Sequence, residues 1–136
     1  MRTVITFGTF DVLHIGHINI LRRAKAHGGR LIVGVSSDAL NFSKKQRYPV
    51  YSEAHRAEII SSLQFVDEVF IEESLELKGE YIKKFGADIL IMGNDWEGRF
   101  DMFKELCEVE YLPRTEGIST TELIAEIKAR EDNVAA

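Results

Sequence analysis

Five short runs rich in valine and isoleucine, "TVITF", "LIVGV", "DEVFIE", "ADILIMG" and "EVEYL", recur along the chain with amphipathic stretches between them. No other feature constrains the fold as strongly. An apolar run of this length is a strand buried on both faces, and strands so buried belong to parallel sheets. Parallel neighbours need crossovers. Helical spacing supplies them at Gly16 to His27, Ser52 to Gln64, Leu75 to Phe85 and Glu97 to Leu106, with a closing helix from Ser119 to Arg130. The expected architecture is α/β: a single Rossmann-like domain over residues 1–130, with a doubly wound parallel sheet of about five strands flanked by helices. The tail, 131–136, is expected to fray.

Length and composition agree with one core, since 136 residues at 45% hydrophobic leave too little chain for two. No run reaches the roughly 18 apolar residues of a membrane span, and Met1-Arg2-Thr3 leads directly into a strand. A soluble, cytoplasmic protein without membrane contact is expected. Cys107 is the one cysteine, which excludes an internal disulfide and a cysteine-cluster zinc site. Within "ELCEVEYL" it is expected to be a small buried hydrophobe. The net charge of -5 argues against a nucleic-acid partner, which demands a broad basic face. Basic side chains do gather at "SKKQR", Arg56 and Arg114, as a focused site for a small phosphate requires.

Ligands of a doubly wound sheet sit beyond the carboxyl ends of its strands. The loops there are the chemically dense ones: "GTFDVLHIGH", "SSDALNFSKKQRYP", "GNDWEG" and "PRTEGISTT". The first contains neither a G-x-x-x-x-G-K-[ST] loop nor G-x-G-x-x-G, because Gly8 and Gly16 are too far apart. A helix starting near Gly16 aims its free N–H groups at an anion, with His17 in the first turn and His14 just before it. Both imidazoles then converge on one phosphate, and Gly16 removes a side chain that would block close approach. Two other readings stay open at this point. His-x-x-His could bind metal, although it lacks the usual i, i+4 spacing, a glutamate and a third ligand. Alternatively one histidine caps the helix and the other packs.

In "RTEGISTT", Ser119 and Glu122 form a capping-box pattern, so a second helix N-terminus is expected, with Arg114 as a planar fork for phosphate oxygens. An ordinary helix cap after a glycine turn is the alternative. "SKKQR" is either a solvated turn or a phosphate clamp. Lys78 by itself is a surface helix residue, Asp38 a helix cap, and Trp96 either a ligand platform or a seal on the core.

His14-Ile15-Gly16-His17 spells the signature of the HIGH nucleotidyltransferase superfamily, and the wider "GTFDVLHIGH" resembles its cytidylyltransferase branch. Class I aminoacyl-tRNA synthetases share the tetrapeptide, but this chain lacks their lysine-rich second motif and the length for tRNA recognition. "RTEGISTT", "MGNDWEGRFD" and "VDEVFIEE" extend the resemblance from Thr3 to about Ile127 and narrow it to the glycerol-3-phosphate cytidylyltransferases. The resemblance implies that Thr9, Phe10, His14, Gly16, His17, Arg114, Thr115, Ile118, Ser119 and Thr120 contact CTP. It implies that Lys44 and Lys78 face the acceptor and its phosphate, and Asp95 carries over to the acceptor side. His14, His17, Lys44 and Arg114 are the catalytic candidates. Three departures stand out. Gln64 replaces an arginine, Gln46 replaces a second basic residue for which Arg47 is the substitute, and Asn94 stands where an acid is common.

The implied reaction joins CTP and sn-glycerol 3-phosphate into CDP-glycerol and pyrophosphate, for teichoic-acid or related surface polymers. Magnesium is expected to arrive with the nucleotide, the protein supplying no metal site of its own, and a homodimer is expected. Another phospho-alcohol or nucleotide is the nearest alternative. A nucleotide-binding regulatory protein without turnover is the alternative of a different class.

Overall fold

The computed structural model describes residues 1–131. Its strands are β1 (Thr3–Gly8), β2 (Arg30–Ser36), β3 (Glu68–Glu72), β4 (Ile89–Gly93) and β5 (Glu108–Leu112). They form one sheet in the order β3-β2-β1-β4-β5, and every neighbouring pair is parallel. All five valine- and isoleucine-rich runs are strands. The helices are α1 (Ile15–Lys25), α2 (Asp38–Lys45), α3 (Glu53–Ser61), α4 (Lys78–Lys84) and α5 (Thr120–Glu131). None is long and apolar enough to cross a membrane. Apart from the backbone of Glu131, the expected frayed tail lies outside the described residues.

Successive side chains of β1 point to opposite faces and so feed two cores. Val4 packs with Leu21 and Ala24 of α1 and Ile60 of α3. Ile5 and Phe7 pack on the other face with Ile82 of α4, and Phe100, Phe103 and Cys107 close over that side. Val4, Ile5, Ile32, Val33, Leu90 and Ile91 are all fully buried, which is why β1, β2 and β4 read as continuous apolar runs; the edge strand β5, "EVEYL", alternates with exposed glutamates instead.

Two segments differ from the sequence expectation. The stretch after β2, grouped with the loops although Asp38 reads as a helix cap, contains α2, whose N-cap is Ser37 accepting from the Leu40 N–H at 3.0 Å. Asp38 is therefore the first helical residue, one position inside the cap. The helix buries Leu40 and Asn41. Half of that buried face is polar, so the apolar periodicity was too weak to announce it. Conversely, Glu97 to Leu106 forms no α-helix. Short 3-10 turns at Asn94–Trp96 and Asp101–Glu105 replace it. They are separated by Gly98 at φ +82°, a conformation that stops a right-handed helix. The aromatic spacing that looked helical is real but serves packing, with the Phe100 ring tilted against Trp96 at 5.5 Å and stacked on Phe103 at 6.4 Å.

β1 lies between β2 and β4, and successive connections leave it in opposite directions. This is the switch point where a crevice opens beyond the carboxyl ends. The β1–α1 loop and the start of α5 meet there. Thr120 donates its hydroxyl to the Asp11 carbonyl at 2.9 Å, and Asn19 donates to the Thr115 hydroxyl at 3.0 Å.

Candidate active site

The β1–α1 loop is strained, with Phe10 at φ 54° and Val12 at φ 46°. Such conformations persist only where the surroundings over-determine them. Here they do. The Asp11 carboxylate accepts from the Val50 and Tyr51 N–H groups at 2.7 and 2.9 Å. The Thr9 hydroxyl donates to Asn41 Oδ1 at 2.8 Å, and Arg56 donates to the Thr9 carbonyl at 2.9 Å. The loop is thereby tied to α2, α3 and the segment between them before any ligand enters.

At its end, His14 is the N-cap of α1: its Nδ1 accepts from the Gly16 N–H at 3.0 Å. His17 reaches back, its Nδ1 accepting from the His14 N–H at 3.2 Å, which closes a capping box made of imidazoles. Capping and cavity lining thus occur in the same two side chains. An Nδ1 that accepts a backbone N–H leaves the proton of the neutral ring on Nε2. The rings stack with centroids 3.7 Å apart. Burial, with help from the Arg114 charge, holds His14 below the usual histidine range. Burial pushes His17 down to about 4, and His14 and Arg114 add to this against the opposing pull of Asp11. Both rings are neutral Nε2–H donors at neutral pH.

Gly16 has a reason besides the one expected. A Cβ there would lie 2.8 Å from His14 Cε1 and 3.3 Å from an Ile118 methyl, so the glycine makes room for the imidazole itself.

All of the sequence-predicted site residues line one cavity of about 850 Å³. Around the histidines stand Thr9, Phe10 and Gly16 from the first loop, and Arg114, Thr115, Ile118, Ser119 and Thr120 from the β5–α5 segment. Lys44, Arg47, Lys78 and Asp95 complete the set. Ser119 caps α5, its hydroxyl accepting from the Glu122 N–H at 3.1 Å. The Arg114 guanidinium stands 3.7 Å from the Asp95 carboxylate, both half exposed to the cavity mouth. Lys44 sits in the last turn of α2, whose C-cap Gln46 adopts a left-handed conformation that turns the chain toward Arg47. Trp96 also lines the cavity while packing on the second core, so platform and seal coincide.

Three side chains differ from an expectation drawn from residue type or pattern alone. Lys78 is no surface residue: it is 2% exposed and paired with Glu72 at 2.5 Å. Arg56 contributes no free charge for phosphate. It is fully buried, donating to the carbonyls of Tyr51, Thr9 and Ser36 and to the Asp38 carboxylate. Gln64 is exposed in the turn before β3, at the opposite end of the sheet from the cavity, so a cation missing there removes nothing from this chain's cavity. Sequence reasoning missed Asn41 and Glu72, which line the cavity and are both 2% exposed. Asn41 holds Ser36, Ser37 and Thr9 together, and a buried asparagine in a short helix has no periodic signature. Among the described residues no group of three His, Cys, Asp or Glu side chains is arranged to hold a metal ion.

A family model described as cytidylyltransferase-like matches residues 5–126. The chain belongs to the cytidylyltransferase-like family. It is 50% identical to a glycerol-3-phosphate cytidylyltransferase of Bacillus subtilis (strain 168), over 93% of this chain and 98% of that protein. It is 44% identical to the protein of that name from Staphylococcus aureus (strain NCTC 8325 / PS 47), over 96% and 98% of the two chains. Among solved structures, the lipopolysaccharide core biosynthesis protein of Thermoplasma volcanium GSS1 superposes with a TM-score of 0.76 at 24% identity, covering 85% of this chain and 99% of that one. At that identity the match speaks for the fold alone.

Proposed function

We propose that the protein is a glycerol-3-phosphate cytidylyltransferase, converting CTP and sn-glycerol 3-phosphate into CDP-glycerol and pyrophosphate. The observation that carries the reading is the pair of stacked, neutral imidazoles, capping α1 through Nδ1 and lining a cavity that also holds Arg114, Lys44 and Lys78. Relatives 44–50% identical over nearly the whole chain carry this name.

The α-phosphate of CTP sits beside the His14 and His17 rings at the positive end of α1, whose first turn carries no acidic side chain and whose Gly16 N–H is already taken by His14. A phosphate oxygen of the acceptor attacks the α-phosphorus in line. The new P–O bond forms as the bond to the pyrophosphate oxygen breaks, and that oxygen leaves with the electron pair. The acceptor is already ionised, so no general base is needed and catalysis reduces to positioning and charge stabilisation. His14 and His17 donate from Nε2 to the α-phosphate oxygens as charge builds there. Arg114 and Arg47 hold the departing phosphates, Lys44 bridges towards the acceptor, and Lys78 and Asp95 line the acceptor side. Thr9, Phe10, Gly16, Thr115, Ile118, Ser119 and Thr120 shape the nucleotide site.

Magnesium fits this cavity as a companion of the triphosphate. Of the carboxylates that line it, Asp11 is held by two backbone N–H groups and Glu72 by Lys78, while Asp95 stands half exposed with Arg114 3.7 Å away. When bound, the ion neutralises charge on the leaving pyrophosphate. We further place the enzyme in the cytoplasm as a homodimer, supplying CDP-glycerol for teichoic-acid or related surface polymers.

The test is pyrophosphate release from CTP and magnesium with a panel of phospho-alcohols. Release that requires an acceptor, with sn-glycerol 3-phosphate used best, is the expected result. Turnover with phosphocholine or a sugar phosphate and none with glycerol 3-phosphate would remove the assigned substrate. CTP binding without turnover on any acceptor would reduce the protein to a nucleotide-binding regulator.

A further inference from the structure

The cavity contains one ion pair that the transfer step itself does not use. Lys78, the first residue of α4, places its Nζ 2.5 Å from Glu72 Oε2, and both side chains are 2% exposed. The same Nζ stands over the ring of Phe7 at 4.3 Å and the ring of Phe100 at 5.2 Å. Two aromatic faces and one carboxylate therefore replace most of the water an ammonium would normally keep. Glu72 ends β3, and its backbone carbonyl accepts from the Ser37 N–H at 2.9 Å, so the main chain that carries this side chain is tied to the start of α2.

Lys44 faces the same cavity from α2. Glu72 is the attractive charge acting on it, while Lys78 and Lys45 oppose its ammonium form. The charged groups around the pair are thus Lys44 and Lys45 from α2, Glu72 from β3 and Lys78 from α4. Arg47 and Asp95 line the cavity as well. A buried pair of this kind adds little net stability, because desolvating two ions offsets their attraction. Its consequence lies in the charge of the cavity.

We propose that Glu72 is a positioning residue for the acceptor: it fixes the Lys78 ammonium in the wall of the cavity that Lys44 also lines, so that the two cations receive the acceptor phosphate from opposite elements. The inference rests on the cytidylyltransferase reading of this cavity. An attacking phosphomonoester must carry its second charge, which it does above pH about 6. The lysines must still be protonated there. Burial pulls Lys78 and Lys44 downward, and in both cases Glu72 supplies the opposing charge. Without it, two ammonium groups share a partly dry cavity, and burial together with their mutual repulsion favours loss of a proton from one of them at lower pH.

The experiment compares wild type, Glu72→Gln and Glu72→Asp from pH 6.5 to 9.5, with KM for glycerol 3-phosphate and for CTP measured separately. In Glu72→Gln the acceptor KM is expected to rise roughly tenfold and its alkaline limb to move down by about one pH unit or more, while KM for CTP stays within about threefold. Glu72→Asp, which keeps the charge on a shorter arm, is expected to retain the wild-type limb. Identical limbs in wild type and Glu72→Gln, or equal damage to kcat at every pH, would overturn the proposal. Should Glu72→Gln fail to melt cooperatively, the 13Cε signal of Lys78 in wild type decides instead, assigned by its loss in Lys78→Met. A midpoint above about pH 8.5 supports the role, and one below it removes it. If wild type prefers another phospho-alcohol, the substrate assignment fails by itself, and the same comparison with that acceptor still tests Glu72.

Discussion

Replacing Gly16 with alanine separates helix stability from catalysis in one residue. The added Cβ would stand 2.8 Å from His14 Cε1, 2.9 Å from its Nδ1 and 3.3 Å from the Ile118 methyl. The imidazole must swing away, giving up its bond to the residue-16 N–H and its 3.7 Å stack on His17. Alanine in place of glycine near a helix start gains at most about 1 kcal/mol. Loss of the N-cap costs about the same. Stability is therefore expected to change by less than about 1 kcal/mol, a few degrees in Tm for a chain of this size. Turnover has no such offset. Removing one preorganised donor from a developing charge costs about 10²-fold to 10³-fold in kcat. Pyrophosphate release at saturating CTP and glycerol 3-phosphate, alongside thermal melts, measures both quantities. A variant with kcat within about threefold of wild type and a raised Tm would show that the His14 ring position is irrelevant to the chemistry.

Two further outcomes test other parts of the site. Ser119→Ala is expected to cost about 1 kcal/mol through loss of the α5 cap. Arg114→Ala, which removes a half-exposed side chain with one loose carboxylate partner, is expected to leave the melt unchanged and raise KM for CTP; wild-type use of CTP by that variant would return "RTEGISTT" to a structural role. His17 supplies a pH signature. Its folded pKa, about 4, lies below the unfolded 6.5, so on acidification the unfolded chain takes up the proton first. Its contribution is complete above pH 6.5 and is lost as the pH falls towards 4, at most about 3 kcal/mol in all. Tm of wild type is expected to drop across that window more steeply than Tm of His17→Gln. Parallel curves would mean that the ring is not held neutral.

The three central strands were legible because burial on both faces leaves a one-dimensional record: Val4 and Ile5 face different cores yet are both apolar. Strand order left no such record, since any of the runs could occupy the centre. Helix α2 was hidden because Asn41 occupies a core position through hydrogen bonds. The aromatic stretch after β4 misled in the opposite sense. Trp96, Phe100 and Phe103 have helical intervals, but Gly98 turns the backbone between them and only the packing survives.

The site shows a sharper division. Residues whose chemistry faces the cavity were found from their types and loop positions, as His14, His17 and Arg114 were. Residues that hold those groups were not, because holding is a property of three-dimensional neighbours. Arg56 illustrates the difference: as a letter beside other basic letters it reads as phosphate-binding charge. In the fold its guanidinium is spent on three carbonyls and Asp38, and it shapes the cavity by tying the first loop to α3. Lys78 makes the converse point. Its letter reads as a solvated helix residue until the 3-10 turn Leu75–Leu77 sets the start of α4 against Glu72 and the Phe7 ring. A basic residue in this protein is therefore a ligand for substrate or a strut according to whether its protein partners exhaust its donors. By that criterion Arg56 is a strut, while Lys78, with one carboxylate for three N–H donors, still has capacity for a phosphate.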